Sequence, residues 1–141
     1  MYKDKPLILN ILLGIWQLPQ ILVGLVMLAI FRNKTSYTNP HNHITVWNIN
    51  CHHAFGTACF STGPFIITCD DYVDEEILRH ESGHSLQSVI LGLFYHIVVS
   101  IPSVCLFWYK RRKKKDQKWY YSHYPENWAN KAGGVDTSKY E

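Results

Sequence analysis

The sequence predicts a mainly α-helical chain with a small antiparallel β-sheet, membrane-embedded helices and a pair of helices bearing candidate metal ligands. Three observations predict it. Two apolar blocks, residues 7–31 and 86–109, contain no Lys, Arg, Asp or Glu. The stretch between them, residues 35–72, is polar and turn-rich with β-branched runs. Residues 80–84 read His80-Glu81-Ser82-Gly83-His84, and a helix start with an acid, Pro125-Glu126, follows downstream.

At 141 residues the chain is one domain. A hydrophobic share of 47% and an aromatic share of 14% exclude a disordered chain. At a rise of about 1.5 Å per residue, each apolar block is long enough to cross a hydrocarbon layer of about 30 Å. The first block is too long for a cleaved signal peptide and lacks a small-residue cleavage site at Arg32. It contains Trp16-Gln17-Leu18-Pro19-Gln20, and the second contains Ser100-Ile101-Pro102-Ser103. Proline kinks or breaks a helix. Kinked spanning helices and re-entrant hairpins both fit.

Within residues 35–72, His43 to Asn50 alternates loosely and reads as a strand. Pro64 to Cys69 reads as another, after the turn at Ser61-Thr62-Gly63, and residues 58–60 offer a third. A sheet here would lie beside the His80–His84 helix, as a covering hairpin or as an edge that holds a peptide by strand addition. The next region, residues 73–109, is a helix running into the second apolar block. Asp70, Asp71 and Asp74 offer caps, and Glu75 and Glu76 suit a first turn. Ile77, Leu78, Leu86, Val89 and Ile90 carry the helix from about residue 73 to the high nineties.

On a helix, His80 and His84 share one face and can reach one metal ion together. Two neutral imidazoles suit Zn²⁺, which lowers the pKa of a water toward about 7. Glu81 is placed to take the water's proton and pass it to a leaving amine. A polar helix face with two solvated histidines is the alternative. In the last region, residues 110–141, Tyr124-Pro125-Glu126-Asn127-Trp128-Ala129-Asn130 reads as a helix with Pro at its first position. Glu126 would face inward as third zinc ligand, with Asn130 one turn later on the same face. A first-turn acid favoured by the helix dipole is the plainer reading of Glu126.

These motifs resemble those of the gluzincin metallopeptidases, with His-Glu-x-x-His on one helix and Glu-x-x-Ala-Asp or a similar run on a second. Gly83 and Ala129 are closest to the membrane-embedded prenyl-protease and heat-shock metalloprotease branch. The chain is also similar to small bacterial membrane proteins that end in Gly-Gly-Val, here Gly133-Gly134-Val135. The resemblance spans residues 64–135 and rests on short motifs. It implies that Asn130 orients His80 by accepting from its free ring nitrogen. The family has Asp there. Asn lacks the charge that makes the histidine a better ligand, which implies weaker zinc binding or activity.

The ligand set constrains the second apolar block. A full crossing by residues 86–109 would leave the histidines and Glu126 on opposite membrane faces. The block is therefore expected to turn back near Pro102, its irregular backbone covered by protein or water. Residues 110–115 are six consecutive cations, a cytoplasmic anchor against anionic lipid. Nucleic-acid binding is disfavoured, because the run abuts a membrane segment and lacks a base-stacking platform. Cys51-His52-His53, with His41 and His43, is a lesser metal candidate. Cys51, Cys59, Cys69 and Cys105 contain no Cys-x-x-Cys pair and default to free thiols. A disulfide among the first three would require an oxidising side, against a cytoplasmic placement. His123 and Tyr124 are candidates to steady an oxyanion, with packing as the plainer role.

The expected function is that of a membrane-associated zinc metalloendopeptidase holding one Zn²⁺. Its partners are a peptide or protein substrate and the lipid bilayer, with no nucleic acid and the active site on the cytoplasmic side. The alternative from another class is a non-catalytic scaffold with a structural or vestigial zinc site. A basic membrane-surface adaptor acting through residues 110–115 is a third.

Overall fold

The structure, a computed structural model, describes residues 6–52, 54–56, 59–69 and 73–138. The first apolar block forms α1 (Leu7–Trp16) and α2 (Leu18–Phe31). They meet at Gln17 with a bend of 90°. Pro19 lies in the first turn of α2, where its missing N–H leaves no bond unmade. Among the described residues no single helix is long and apolar enough to cross a membrane, and α1 and α2 meet that test only as a bent pair.

The sheet comprises β1 (Thr35–Thr38), β2 (Thr45–Asn50), β3 (Phe60–Thr62) and β4 (Phe65–Thr68), in the order β1-β2-β4-β3. It is mixed, not antiparallel as the sequence predicts. β1 pairs antiparallel with β2, and β3 with β4, but β2 and β4 run parallel. The reason lies in β4: all four of its residues are buried, and a strand covered by helices on both faces suits an interior, parallel position. The short β3 takes the edge instead. Of the proposed third strand, residue 60 lies in β3 and residue 58 outside the described residues.

The sheet lies between two helices. Phe65 and Ile67 pack with Ile49 on the face toward Ile21, Met27 and Leu28 of α2. Ile66 packs with Val46 and Ile44 on the opposite face, against Leu78 and Leu86. The closeness of α2 depends on Gly24, where a Cβ would stand 2.0 Å from the Phe65 ring. Cys51 and Cys69, just past the parallel strands, form a disulfide, so these two are not the free thiols expected by default.

Helix α3 (Glu75–Leu91) begins at Asp74, whose carboxylate accepts from the Glu76 amide. Asp70 and Asp71, the other predicted caps, lie outside the described residues. The helix stops at Gly92 and does not continue into the high nineties. Gly92 has φ of 51°, and a Cβ there would fall 2.0 Å from the Trp16 ring. Trp16 donates to the Val89 carbonyl at 3.0 Å, and Gln20 donates to that of Gly92. The break in the first block is therefore seated on the break in the second. Gln17 and Gln20 are buried, with Ser88 and Thr62 supplying further partners.

A 3₁₀ turn (Gly92–Phe94) and a π-helical turn (His96–Ser100) lead to α4 (Ile101–Lys113). The block turns back as expected, but the reversal begins at Gly92. Pro102 stands in the first turn of α4. Phe107 and Lys110 return to a cavity shared with Ile77, near the start of α3. After α5 (Gln117–Ser122), α6 (Glu126–Gly133) closes against α3. Pro125 is the N-cap of α6 and not its first residue. The two backbones touch at glycines. A Cβ on Gly83 would meet the Ala129 carbonyl oxygen at 2.0 Å, and one on Gly133 the Arg79 carbonyl oxygen at 2.0 Å.

Candidate metal centre

The contact between α3 and α6 sets three ligand-bearing side chains together. His80 and His84, one turn apart on α3, present their Nε2 atoms to Glu126 Oε2 at 3.0 and 3.2 Å. Glu126 is 1% exposed, and both histidines are buried. The candidate ligand atoms all lie within 4.8 Å of one another. This buried His-His-Glu group could hold a metal ion.

The chemistry of the surrounding groups fits a metal. Asn130 Oδ1 lies 2.7 Å from His80 Nδ1, and Gln87 Oε1 lies 2.7 Å from His84 Nδ1. An amide oxygen only accepts, so each Nδ1 carries the proton. In a neutral ring Nε2 then bears a lone pair. Two lone pairs aimed at one carboxylate repel unless a proton or a cation lies between them. The Gln87 amide is oriented independently, since its nitrogen donates to the Pro125 carbonyl at 3.2 Å.

Without a metal, a proton takes that place. Burial lowers the pKa of His84, but its bond to Glu126 and that carboxylate's charge outweigh burial and raise it to about 9. Burial raises that of Glu126. The hydrogen bonds and charges of His80 and His84 win and hold its carboxyl well below the usual carboxylate range. The other carboxylate oxygen, Oε1, accepts from Ser103 Oγ of α4 at 2.5 Å. The returning block thus orients the third ligand.

Glu81, beside the group on α3, is buried and faces the sheet edge. Ser61 Oγ of β3 lies 2.7 Å from Glu81 Oε2 and 2.6 Å from its backbone carbonyl oxygen. The single hydroxyl proton serves one of them at a time. A cavity of about 270 Å³ opens here, reached by His80, Glu81, His84, Glu126, Ser61 and Tyr120. A neighbouring space of about 340 Å³ shares His80, Glu81 and Tyr120.

His80, Glu81, His84, Glu126 and Asn130 are thus brought together. His123 and Tyr124 are not. His123 Nδ1 contacts the Trp119 carbonyl at 2.6 Å, and Tyr124 donates to the Val98 carbonyl at 2.7 Å, both exposed. Tyr120 lines the cavity, its hydroxyl interacting with Ser103 and Glu126, and burial raises its pKa. The Tyr121 ring lies against that of His80, tilted at 45° with centroids 5.1 Å apart. Among the described residues the lesser metal candidate forms no ligand group: Cys51 is bonded to Cys69, and His41 packs against Gly134. His53 of that cluster lies outside the described residues.

Sequence reasoning missed Gln87, Ser61 and Ser103. Gln87 had a signal, since it lies three residues after His84 on the same helix face. Ser61 and Ser103 had none, because each reaches the site from another element. No protein-family model, curated protein or solved structure matches this chain.

Proposed function

We propose that the chain is a zinc metalloendopeptidase held at a membrane. The observation that carries this reading is the convergence of His80, His84 and Glu126 on one point, with Glu81 in the same cavity. A bound zinc ion would supply Lewis acidity, making a water acidic and polarising the peptide carbonyl. Glu81 takes the water's proton and delivers it to the leaving amine. Ser61 steers the Glu81 carboxylate. The Tyr120 hydroxyl, at the cavity wall, is the donor best placed for the developing oxyanion. β3, the edge strand beside the cavity, is where an extended peptide would add by strand pairing.

Exposed apolar side chains support the membrane. Leu7, Ile11 and Ile15 of α1 are exposed, as are Leu22, Val26 and Ile30 of α2 and Ile101, Val104 and Trp108 of α4. Apolar surface on this scale is stable when lipid or protein covers it.

The test is zinc content by elemental analysis and cleavage of a protein substrate, on detergent-purified wild type, Glu126→Ala and Glu81→Gln. The expected result is about one zinc in wild type and in Glu81→Gln, much less in Glu126→Ala, and cleavage by wild type alone. No zinc in metal-replete wild type overturns the reading. Undiminished cleavage by Glu81→Gln removes its base.

A further inference from the structure

The six-cation run divides at its first member. Arg111, Arg112, Lys113, Lys114 and Lys115 are exposed, whereas Lys110 is half-buried. Its ammonium turns inward, donating to Gln117 Oε1 and standing 5.0 Å from the centroid of the Tyr120 ring. There it lines the 340 Å³ cavity whose other wall holds His80 and Glu81. The rest of the lining is apolar, with Phe60, Ile77, Val104 and Phe107, or uncharged and polar, including Gln117, Ser103 and Tyr120. Among the described residues no carboxylate lies within ion-pair distance of Lys110. Burial lowers its pKa, with Asp116 a weaker opposing influence.

A lysine that served only as a lipid anchor would extend its head to the headgroup layer, on the exposed side where its five neighbours lie. A half-buried ammonium with no ion-pair partner among the described residues, in a cleft beside a candidate water-activating carboxylate, is a site for an anionic group of the molecule that fills the cleft. We propose that Lys110 recognises a carboxylate on the peptide bound in this cleft. The proposal rests on the reading that peptides occupy the cleft. The carboxylate is a chain terminus or an acidic side chain, and it selects which peptide bond lies over Glu81. The apolar wall takes the neighbouring side chains. Lys110 is a specificity-determining residue, not a catalytic one.

The probes are three pools of short, randomised, fluorescently labelled peptides. One ends in free carboxylates and contains no Asp or Glu. The second is the same pool amidated, and the third is amidated and carries Glu. Binding to the full-length protein is read by fluorescence anisotropy with zinc and with chelator, and cleavage by mass spectrometry. The expected result is roughly tenfold tighter binding of the free-acid or Glu pool than of the amidated pool, the size of one charge-assisted hydrogen bond. A preference for the free-acid pool identifies the chain terminus, and one for the Glu pool a side chain. Lys110→Gln should abolish the preference, and Lys110→Arg should keep it. Equal binding of all pools by wild type, no binding of any pool, or a preference surviving in Lys110→Gln overturns the proposal. Preference without cleavage sinks the peptidase reading alone, and cleavage without preference sinks the role of Lys110 alone.

Discussion

Gln87 Oε1 stands 2.7 Å from His84 Nδ1, and the same amide donates to the carbonyl of Pro125, immediately before Glu126. One side chain therefore fixes the ring orientation of one candidate ligand and the backbone that carries another.

Gln87→Leu should lower zinc affinity by about 10- to 100-fold, the usual effect of losing an outer partner of a ligating histidine. Gln87→Glu should keep the acceptor for His84 but lose the donor to the Pro125 carbonyl and set a carboxylate oxygen against it, so its zinc affinity should fall between those of wild type and Gln87→Leu. Competition against a chelating dye measures both. Equal affinities for Gln87→Leu and wild type would falsify this role.

Asn130 carries a buried amide nitrogen with no partner among the described residues, while its oxygen faces His80. Asn130→Asp removes that unmatched donor and adds a negative charge behind the ring. Zinc should bind more tightly, by roughly tenfold. Asn130→Ala should weaken it by a similar factor. The same dye competition decides, and a weaker Asn130→Asp site would show that the amide suits this pocket better.

The pH dependence follows from His84. Its folded pKa is raised from 6.5 to about 9, so in metal-free protein the charged histidine contributes stability in full below 6.5. That contribution is lost as pH rises through about 9. Glu126 has a depressed pKa, and its contribution is present above the ordinary carboxylate range and lost on strong acidification. Metal-free protein should therefore lose thermal stability as pH rises from 6.5 to 9. Zinc must displace the His84 proton, so its affinity should increase over that window. Calorimetry in buffers of different ionisation enthalpy should register proton release near pH 7. Zinc binding with no proton released would place the His84 pKa at its ordinary value.

Gly83 permits the contact between α3 and α6 on which the ligand set depends. Gly83→Ala drives a methyl against the Ala129 carbonyl oxygen, which is backbone and cannot swing aside. We expect a loss of about 1–3 kcal/mol in unfolding free energy, although Ala is the better helix former. Zinc binding should fall with it, because Glu126 moves with α6. Denaturant titration with and without zinc measures both effects, and a more stable Gly83→Ala protein would contradict the packing.

Cys51 and Cys69 are paired, and stable disulfides belong to oxidising compartments. This opposes the cytoplasmic side that the basic run favours. Expressed in cells and denatured without reductant, the protein should take up maleimide on fewer cysteines than after reduction. The difference should be two of its four. Labelling of all four before reduction would return the sheet to a reducing compartment.

The local grammar of this chain was legible in its sequence. The break at Pro19, the strands around Val46 and Ile66, and the Asp74 cap all follow from near-neighbour chemistry, whereas Pro102, expected to turn the second block, stands in the first turn of α4. So does the sharing of one helix face by His80 and His84, because a residue and its fourth neighbour meet on any α-helix. The placing of Glu126 beside them needed more. Its local pattern predicted a helix start, but the distance to His84 depends on Gly83 and Gly133 allowing two backbones to touch.

Other features lay beyond any local pattern. The parallel pairing of β2 and β4 goes with an interior β4 whose faces are covered by α2 and α3, and the pattern of β4 alone does not say which strands will flank it. Gly92 ends α3 because Trp16 of another helix occupies the space of its side chain. Ser61, Ser103 and Tyr120 join the site from β3, α4 and α5, separated in sequence by turns whose directions are set in packing. By itself the sequence determined which residues have the chemistry of a metal site and how each short segment folds, since those depend on residue type and near spacing. Only the tertiary structure decided which oxygens and nitrogens face one another, because that depends on how distant, individually weak apolar and backbone contacts are satisfied together.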